Sequence, residues 1–231
     1  FENIDFSKNE HKEIIETQIK KHGIKNADPV VAHEIISATL NVQLNKHRGP
    51  PFTLSELDQQ DIIAEMEFHI HTPDFSFREL GKHLLEVDSL CAFASYLEKK
   101  NDLDPIQLDQ QFLKGFIDLT FKKGNQFFVL DWKSNMLTAQ QNAFKSKFLP
   151  NAMATADYNL QYHLYILALH RFLKNTLQAN YSYSKNFGGV YYLFLRGIHR
   201  PIEPDDGIFF DCPKESLIEA MDHFLTFKSH S

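Results

Sequence analysis

Two short strings hold the residues best suited to chemistry: Gly115-Phe-Ile-Asp118-Leu119 and Leu130-Asp131-Trp132-Lys133. Each sets a carboxylate inside an apolar, β-prone run, and the second adds a lysine two residues past its carboxylate. Residues i and i+2 of a strand face the same way. Asp131 and Lys133 therefore project together, and Asp118 can join them from a neighbouring strand. Two carboxylates and an ammonium on one sheet face can hold a divalent cation and activate a water beside it. The spacing leaves a second reading open. A buried carboxylate needs compensation, and an ion pair with Lys133 supplies it without any metal.

Other candidates are weaker. In Glu65-Met66-Glu67-Phe68 the alternation puts both glutamates on one side, opposite Met66 and Phe68. One of them could give a third oxygen ligand, or that side could simply face solvent. Gln161 and Tyr165 stand four apart, on one helical face. They could hydrogen-bond a phosphate or orient a carboxylate, or form the polar edge of a core helix. His69 and His71 share a strand face, but no third nitrogen or sulfur ligand is near in sequence, which disfavours zinc. The chain has no glycine-rich phosphate loop, nucleophile elbow or Ser/His/Asp signature.

These residues must be positioned by the elements around them. Phe112 to Phe121, the turn Lys122-Lys123-Gly124-Asn125 and Gln126 to Lys133 predict a β-hairpin. Apolar spacing predicts two helices between Glu10 and Lys46, with Gly23 as punctuation, Asp28 as N-cap and Pro29 at the first helical position. Gly49-Pro50-Pro51 reads as a loop, with Thr53 placed to cap a short helical turn. Ile62 to Ile70 reads as a strand and Phe75 to Leu80 as another short extended piece. Leu84 to Lys99 reads as one helix, with lysines favourable at its end. Ala152 to Leu173 reads as one long helix. Val190 to Leu195 is a continuous apolar run, as in a strand covered on both faces. A short strand around Phe209 and a helix from Lys214 to Phe227 close the chain. The order predicts one α/β domain with a mixed sheet and helices on both sides.

The 231 residues, 43% hydrophobic with 21 Phe, suffice for a substantial core. No apolar run is long enough to cross a membrane. The start at Phe1, with no leader, reads as an excised piece of something longer. Two cysteines, Cys91 and Cys212, suggest no disulfide framework and a cytoplasmic setting. The net charge is −6. A domain that captures nucleic acid alone is usually basic, so any such substrate is expected to arrive by way of partner surfaces. The contrary reading is that the acidity reflects ordinary solvated faces.

Taken in order, Gly115-Phe-Ile-Asp118, Asp131-Trp-Lys133-Ser and Gln161-Tyr-His-Leu-Tyr165 resemble the GxxD, (D/E)xK and QxxxY motifs of the RecB-type nucleases of the PD-(D/E)XK superfamily. Leu113 to Leu119, Leu164 to Arg171, Phe187 to Gly197, Glu65 to Phe68 and the opening Phe1 to Phe6 fit the same family, so the resemblance spans nearly the whole chain. It implies a restriction-endonuclease-like mixed central sheet flanked by helices, with extra N-terminal helices. Residues 1–231 form one nuclease domain on this reading, 1–60 a helical part and 61–231 the nuclease core, within a longer helicase-nuclease chain.

The resemblance also implies roles. Asp118 and Asp131 coordinate Mg2+, with Mn2+ a substitute, and the Trp132 main-chain carbonyl is a further ligand. Lys133 positions or helps deprotonate the attacking water. Glu65 is the additional acidic ligand, with Glu67 the runner-up, and Gln161 and Tyr165 are accessory. The expected activity is exodeoxyribonuclease V-type hydrolysis of DNA in break repair, with RecC-like and RecD-like subunits and a RecA-like recombinase as partners. The family also carries a metal-binding histidine on an N-terminal helix. His11, His22 and His33 all lie outside the matching context, which leaves a non-catalytic docking module as the alternative.

Overall fold

The hairpin expected over residues 112–133 forms the middle of a five-stranded sheet. The computed structural model of the chain describes residues 5–6, 11–24, 27–45, 49–71, 75–100, 112–137 and 141–227. Residues 1–4 of the opening segment lie outside them. The described elements run α1 (Lys12–Lys21), α2 (Pro29–Asn41), β1 (Ile62–His71), α3 (Phe77–Val87), α4 (Ala92–Lys99), β2 (Phe112–Lys123) and β3 (Gln126–Lys133). They continue with α5 (Leu149–Thr155), α6 (Tyr158–Leu177), α7 (Tyr183–Asn186), β4 (Phe187–Phe194), α8 (Leu195–His199), β5 (Ile208–Asp211) and α9 (Glu215–Phe227).

The strand order is β1-β2-β3-β4-β5. Only β3 and β4 pair in parallel; the other neighbours are antiparallel. The sheet is therefore mixed, and the β3-to-β4 connection passes through α5, α6 and α7, as a parallel crossover requires. The β2–β3 turn closes tightly from Lys123 to Gln126. Gly124, at φ +62°, supplies the left-handed backbone such a turn needs.

Two apolar layers cover the sheet. One face packs on α3, α4, α5, α6 and α9 through residues such as Leu80, Leu97, Met153, Ile166 and Met221. The other packs on Leu40 of α2, Ile198 of α8 and the segment holding Phe52, Leu54 and Leu57. β4 is buried along its whole length, as its continuous apolar run predicts. Among the described residues no helix is long and apolar enough to cross a membrane.

Local signals hold at several ends. Asp28 caps α2 by accepting from the Val30 N–H at 2.8 Å, with Pro29 in the first turn. Thr53 precedes a short helical turn at Leu54–Glu56, but its side chain makes no capping bond.

Three expectations need correction. Phe75 to Leu80 is not extended, because α3 begins at Phe77. Ser76 accepts from the Glu79 N–H and Glu79 accepts from the Ser76 N–H, each at 3.1 Å, a reciprocal capping box. The helix expected over 84–99 is two helices, broken at Asp88–Leu90, where the Asp88 carboxylate accepts from the Leu90 N–H at 3.2 Å. The long helix expected from Ala152 is also two. The chain turns at Asp157, which sits in left-handed conformation at φ +57°. Its carboxylate is gripped by Tyr96 and by Lys100 Nζ at 2.7 Å.

Candidate active site

β2 and β3 pair from Lys123↔Gln126 to Leu119↔Leu130, and there the ladder stops. The next positions across the pair are Asp118 and Asp131. Asp118 Oδ2 accepts from the Trp132 N–H at 2.9 Å. A side chain thus takes the donor where the strands fork, and both carboxylates lie at that fork.

Beyond the fork β2 stays paired with β1, and both strands change face at the same place. Leu119 and Phe121 belong to the core layer under α2, whereas Ile117 and Leu113 belong to the layer under α6. In β1, Ile62 and Ala64 pack toward the first layer, and Met66 and Phe68 toward the second. All four β2 positions are odd and all four β1 positions even, so an unbroken strand could not divide them this way. The inflection is Glu65, at φ +50°, a conformation rare and strained for a residue with a Cβ. Ala64↔Leu119 and Met66↔Ile117 bracket it, so Glu65 stands across from Asp118.

This inflection corrects the expectation that Glu65 and Glu67 share a side. Glu67 is on the exposed surface of the β1–β2 arm, 2.6 Å from Lys114 Nζ and 3.3 Å from His69 Nε2. The charge of Glu65 instead acts on Asp131 and Tyr165. His69 and His71 are both exposed, and among the described residues they belong to no group of three or more His, Cys, Asp or Glu that could hold a metal ion. His11 and His22 flank the ends of α1, and His33 lies on α2, among the N-terminal helices rather than at the fork.

Asp131 is 2% exposed. Burial, then the neighbouring charge of Asp118, pushes its carboxyl up to about 6, against the pull of Lys133. Lys133 Nζ lies 2.5 Å from Asp131 Oδ1. The ammonium thus compensates a carboxylate oxygen that is shut off from solvent.

The ammonium is held from other sides too. Lys133 donates to Gln161 Oε1 at 3.1 Å, and Tyr192 OH donates to the same oxygen at 2.8 Å. Gln161 Nε2 donates to Tyr165 OH at 2.9 Å. The Tyr158 and Tyr192 ring centroids lie 4.1 and 5.0 Å from Lys133 Nζ, within cation–π range. The structure therefore brings Asp118, Asp131, Lys133, Gln161 and Tyr165 together.

Tyr158 and Tyr192 were missed by sequence reasoning. Tyr158 was within reach: it precedes Gln161 by three and Tyr165 by seven, the spacing of one helix face. Tyr192 gave a fainter signal, a hydroxyl in an otherwise apolar buried strand, which must find a partner. It stands opposite Asp131 in the β3–β4 register.

Gly115 has a packing reason. It faces Phe68 in the ladder, and a Cβ there would come within 2.6 Å of the Phe68 ring. That ring lies edge-on to Tyr165 at 5.7 Å between centroids. The glycine thus lets Phe68 cover β2 and brace Tyr165.

Among the described residues, no group of three or more His, Cys, Asp or Glu is gathered closely enough to hold a metal ion by itself. The donors nevertheless suit a hard cation. They are carboxylate oxygens that repel one another, one of them on a buried side chain whose charged form is disfavoured by burial. Mg2+ commonly takes one or two protein carboxylates and completes its shell with water and substrate phosphate. The residues present fit such a group.

Comparison with known proteins gives the following matches. The PD-(D/E)XK nuclease superfamily profile matches residues 25–221. The RecBCD enzyme subunit RecB of Escherichia coli K12 is 34% identical over 226 residues, covering 97% of this chain and 18% of that protein. RecB of Buchnera aphidicola subsp. Acyrthosiphon pisum is 30% identical over 218 residues, covering 94% of this chain and 18% of that protein. RecB of Haemophilus influenzae is 34% identical over 169 residues, covering 73% of this chain and 13% of that protein. The chain thus spans less than a fifth of the length of these relatives.

Proposed function

The chain belongs to the PD-(D/E)XK nuclease superfamily, and from that premise we propose that it hydrolyses DNA phosphodiester bonds with a divalent cation, as the nuclease part of a RecB-like subunit. The observation that carries this reading is the convergence at one strand fork of Asp118, Asp131 and the Lys133 ammonium.

Asp118 and Asp131 hold the cation, preferentially Mg2+ and alternatively Mn2+, with the Trp132 carbonyl and Glu65 as further ligands. Bound there, the cation supplies positive charge to the scissile phosphate and acidifies water. Lys133 holds its ammonium toward the phosphate and stabilises the charge that develops on it. Gln161, fixed by Tyr192 and Tyr165, sets the direction of that ammonium. Tyr165 keeps its proton, because burial and then the charges of Asp131 and Asp118 push its hydroxyl up. It serves as a donor rather than a base.

The names of the relatives extend the proposal to the assembly. The chain works within a RecBCD-type helicase-nuclease with RecC-like and RecD-like subunits, in the cytoplasm, in double-strand break repair. A RecA-like recombinase is the proposed downstream partner. The net charge of −6 agrees with delivery of the strand by those other surfaces.

The test is hydrolysis of linear DNA by the full-length protein with Mg2+. Asp131→Ala and Lys133→Ala should each abolish it while circular dichroism stays unchanged. Undiminished hydrolysis by either variant would refute the assignment.

A further inference from the structure

The structure contains a groove of about 450 Å3 beside the candidate active site. One wall is the chain leaving β3, from Asn135 to Leu137. The other is α5 with the residues just before it and just after it.

Both walls are continuous with groups that touch Lys133. Asn135 follows Lys133 by two residues. Ala156, at the far wall, precedes Tyr158 by two, and the Tyr158 ring lies 4.1 Å from the Lys133 ammonium. Arg196 Nε donates to the carbonyl of Ser134 at 2.9 Å, which ties down the short link between Lys133 and the groove.

The lining has a definite chemistry. It contains no charged side chain. Its large apolar groups are unusually open to solvent, with Met136 62% and Phe148 44% exposed. Beside them stand three amides, Asn135, Asn142 and Asn151. Lys147 lies at the rim, its ammonium 5.0 Å from the Phe148 ring centroid.

We propose that this groove is a nucleobase-binding subsite, which seats bases of a single strand next to the phosphate handled at the fork. The proposal rests on the phosphodiesterase reading above and adds the residues that hold the bases flanking the cleaved bond. A neutral groove does not compete for phosphate, whereas the fork beside it is built around charge. An exposed ring gives bases of any sequence a stacking surface. Amides can donate to and accept from base edges that pairing leaves unsatisfied only in a single strand. Lys147 is positioned to meet the backbone of a strand whose bases point inward. A base pair in a duplex offers neither its face nor its pairing edge to such a groove, so the strand must be separated before it is seated.

The test compares two oligonucleotides with the full-length protein and Mg2+: oligothymidylate, and the same length carrying abasic sites around the cleaved bond. The wild type should show a KM about 10-fold lower for the strand with bases, the scale of one stacked base. Phe148→Leu, which keeps an apolar side chain and removes the ring, should bring the ratio of the two KM values close to one. Phe148→Tyr should restore it. Should Phe148→Leu fail to fold, Met136→Ala at the more exposed position should lower the same ratio. Equal KM values in the wild type, or a ratio unmoved by Phe148→Leu, would overturn the subsite and leave the phosphodiesterase reading standing, since both strands are cut. Failure to cut either strand would overturn both. Protection of the groove by an apolar peptide with no effect of bases on KM would also count against the subsite.

Discussion

Glu65 stands across from Asp118 at the one place where β1 and β2 both change the face they bury. Its backbone adopts φ +50° to do so. That strained residue separates the two glutamates that strict alternation would place together. Glu65→Gln should weaken binding of Mn2+ by calorimetry, by about 10- to 100-fold as for other residues around a metal. Glu67→Gln, which removes only the exposed pairing with Lys114 and His69, should leave it unchanged. Glu65→Gly should weaken binding too, yet stabilise the metal-free fold by about 1 kcal/mol in urea unfolding, because glycine adopts that φ without strain.

Lys133 and Asp131 form the ionic centre of the fork. Lys133→Met keeps much of the side-chain volume but removes the charge. It should lower kcat by at least about 100-fold, the usual effect of removing one preorganised electrostatic group. Its KM for DNA should change far less. A comparable loss in KM with kcat preserved would reassign Lys133 to binding.

Tyr158 should act through its ring. Tyr158→Phe retains the face that lies 4.1 Å from the Lys133 ammonium and should keep most activity. Tyr158→Leu should lower kcat by about 5- to 10-fold, in line with an exchange of a partly desolvated cation–π contact. Equal activity of the two variants would mean that the ring only fills space.

Gly115→Ala should drive the Phe68 ring away, since the new Cβ would come within 2.6 Å of it. Displacement of Phe68 releases its edge contact with Tyr165. The expected result is a loss of stability of about 1–3 kcal/mol, typical of overpacking, together with a lower kcat. In a Phe68→Leu background, where the ring and its contact with Tyr165 are gone already, Gly115→Ala should lower kcat no further.

Two buried groups should make stability depend on pH in opposite senses. Asp131 is raised from 3.8 to about 6 by burial and then by Asp118. The folded state therefore holds this proton where the unfolded chain has lost it, and stability falls as pH rises from about 4 to about 6. His163 is lowered from 6.5 to about 4 by burial, its ring stacked on Phe93 at 3.6 Å. There the unfolded chain binds the proton first, so stability rises over roughly the same interval. Each effect is about 3 kcal/mol across its window. Urea unfolding in EDTA should show Asp131→Asn gaining stability relative to wild type as pH rises from 4 to 6. His163→Gln should lose stability relative to wild type over the same range. A difference between Asp131→Asn and wild type that stays constant with pH would show Asp131 to be ionised throughout.

The sequence by itself determined what short-range geometry can determine. The hairpin over 112–133, the common face of Asp131 and Lys133, the pairing of Gln161 with Tyr165 and the Asp28 cap all follow from periods of two and 3.6 and from local hydrogen bonds. Tertiary structure decided which glutamate reaches the fork, because a left-handed residue at Glu65 breaks the period on which the alternation argument rests. It also decided how Lys133 is held. The rings of Tyr158 and Tyr192 come from a helix and a strand that meet β3 only after the sheet has closed, and a groove between two connections exists only once both are packed. Spacing along a chain reports which side chains point together; side chains that converge from distant elements are set by the packing that joins those elements.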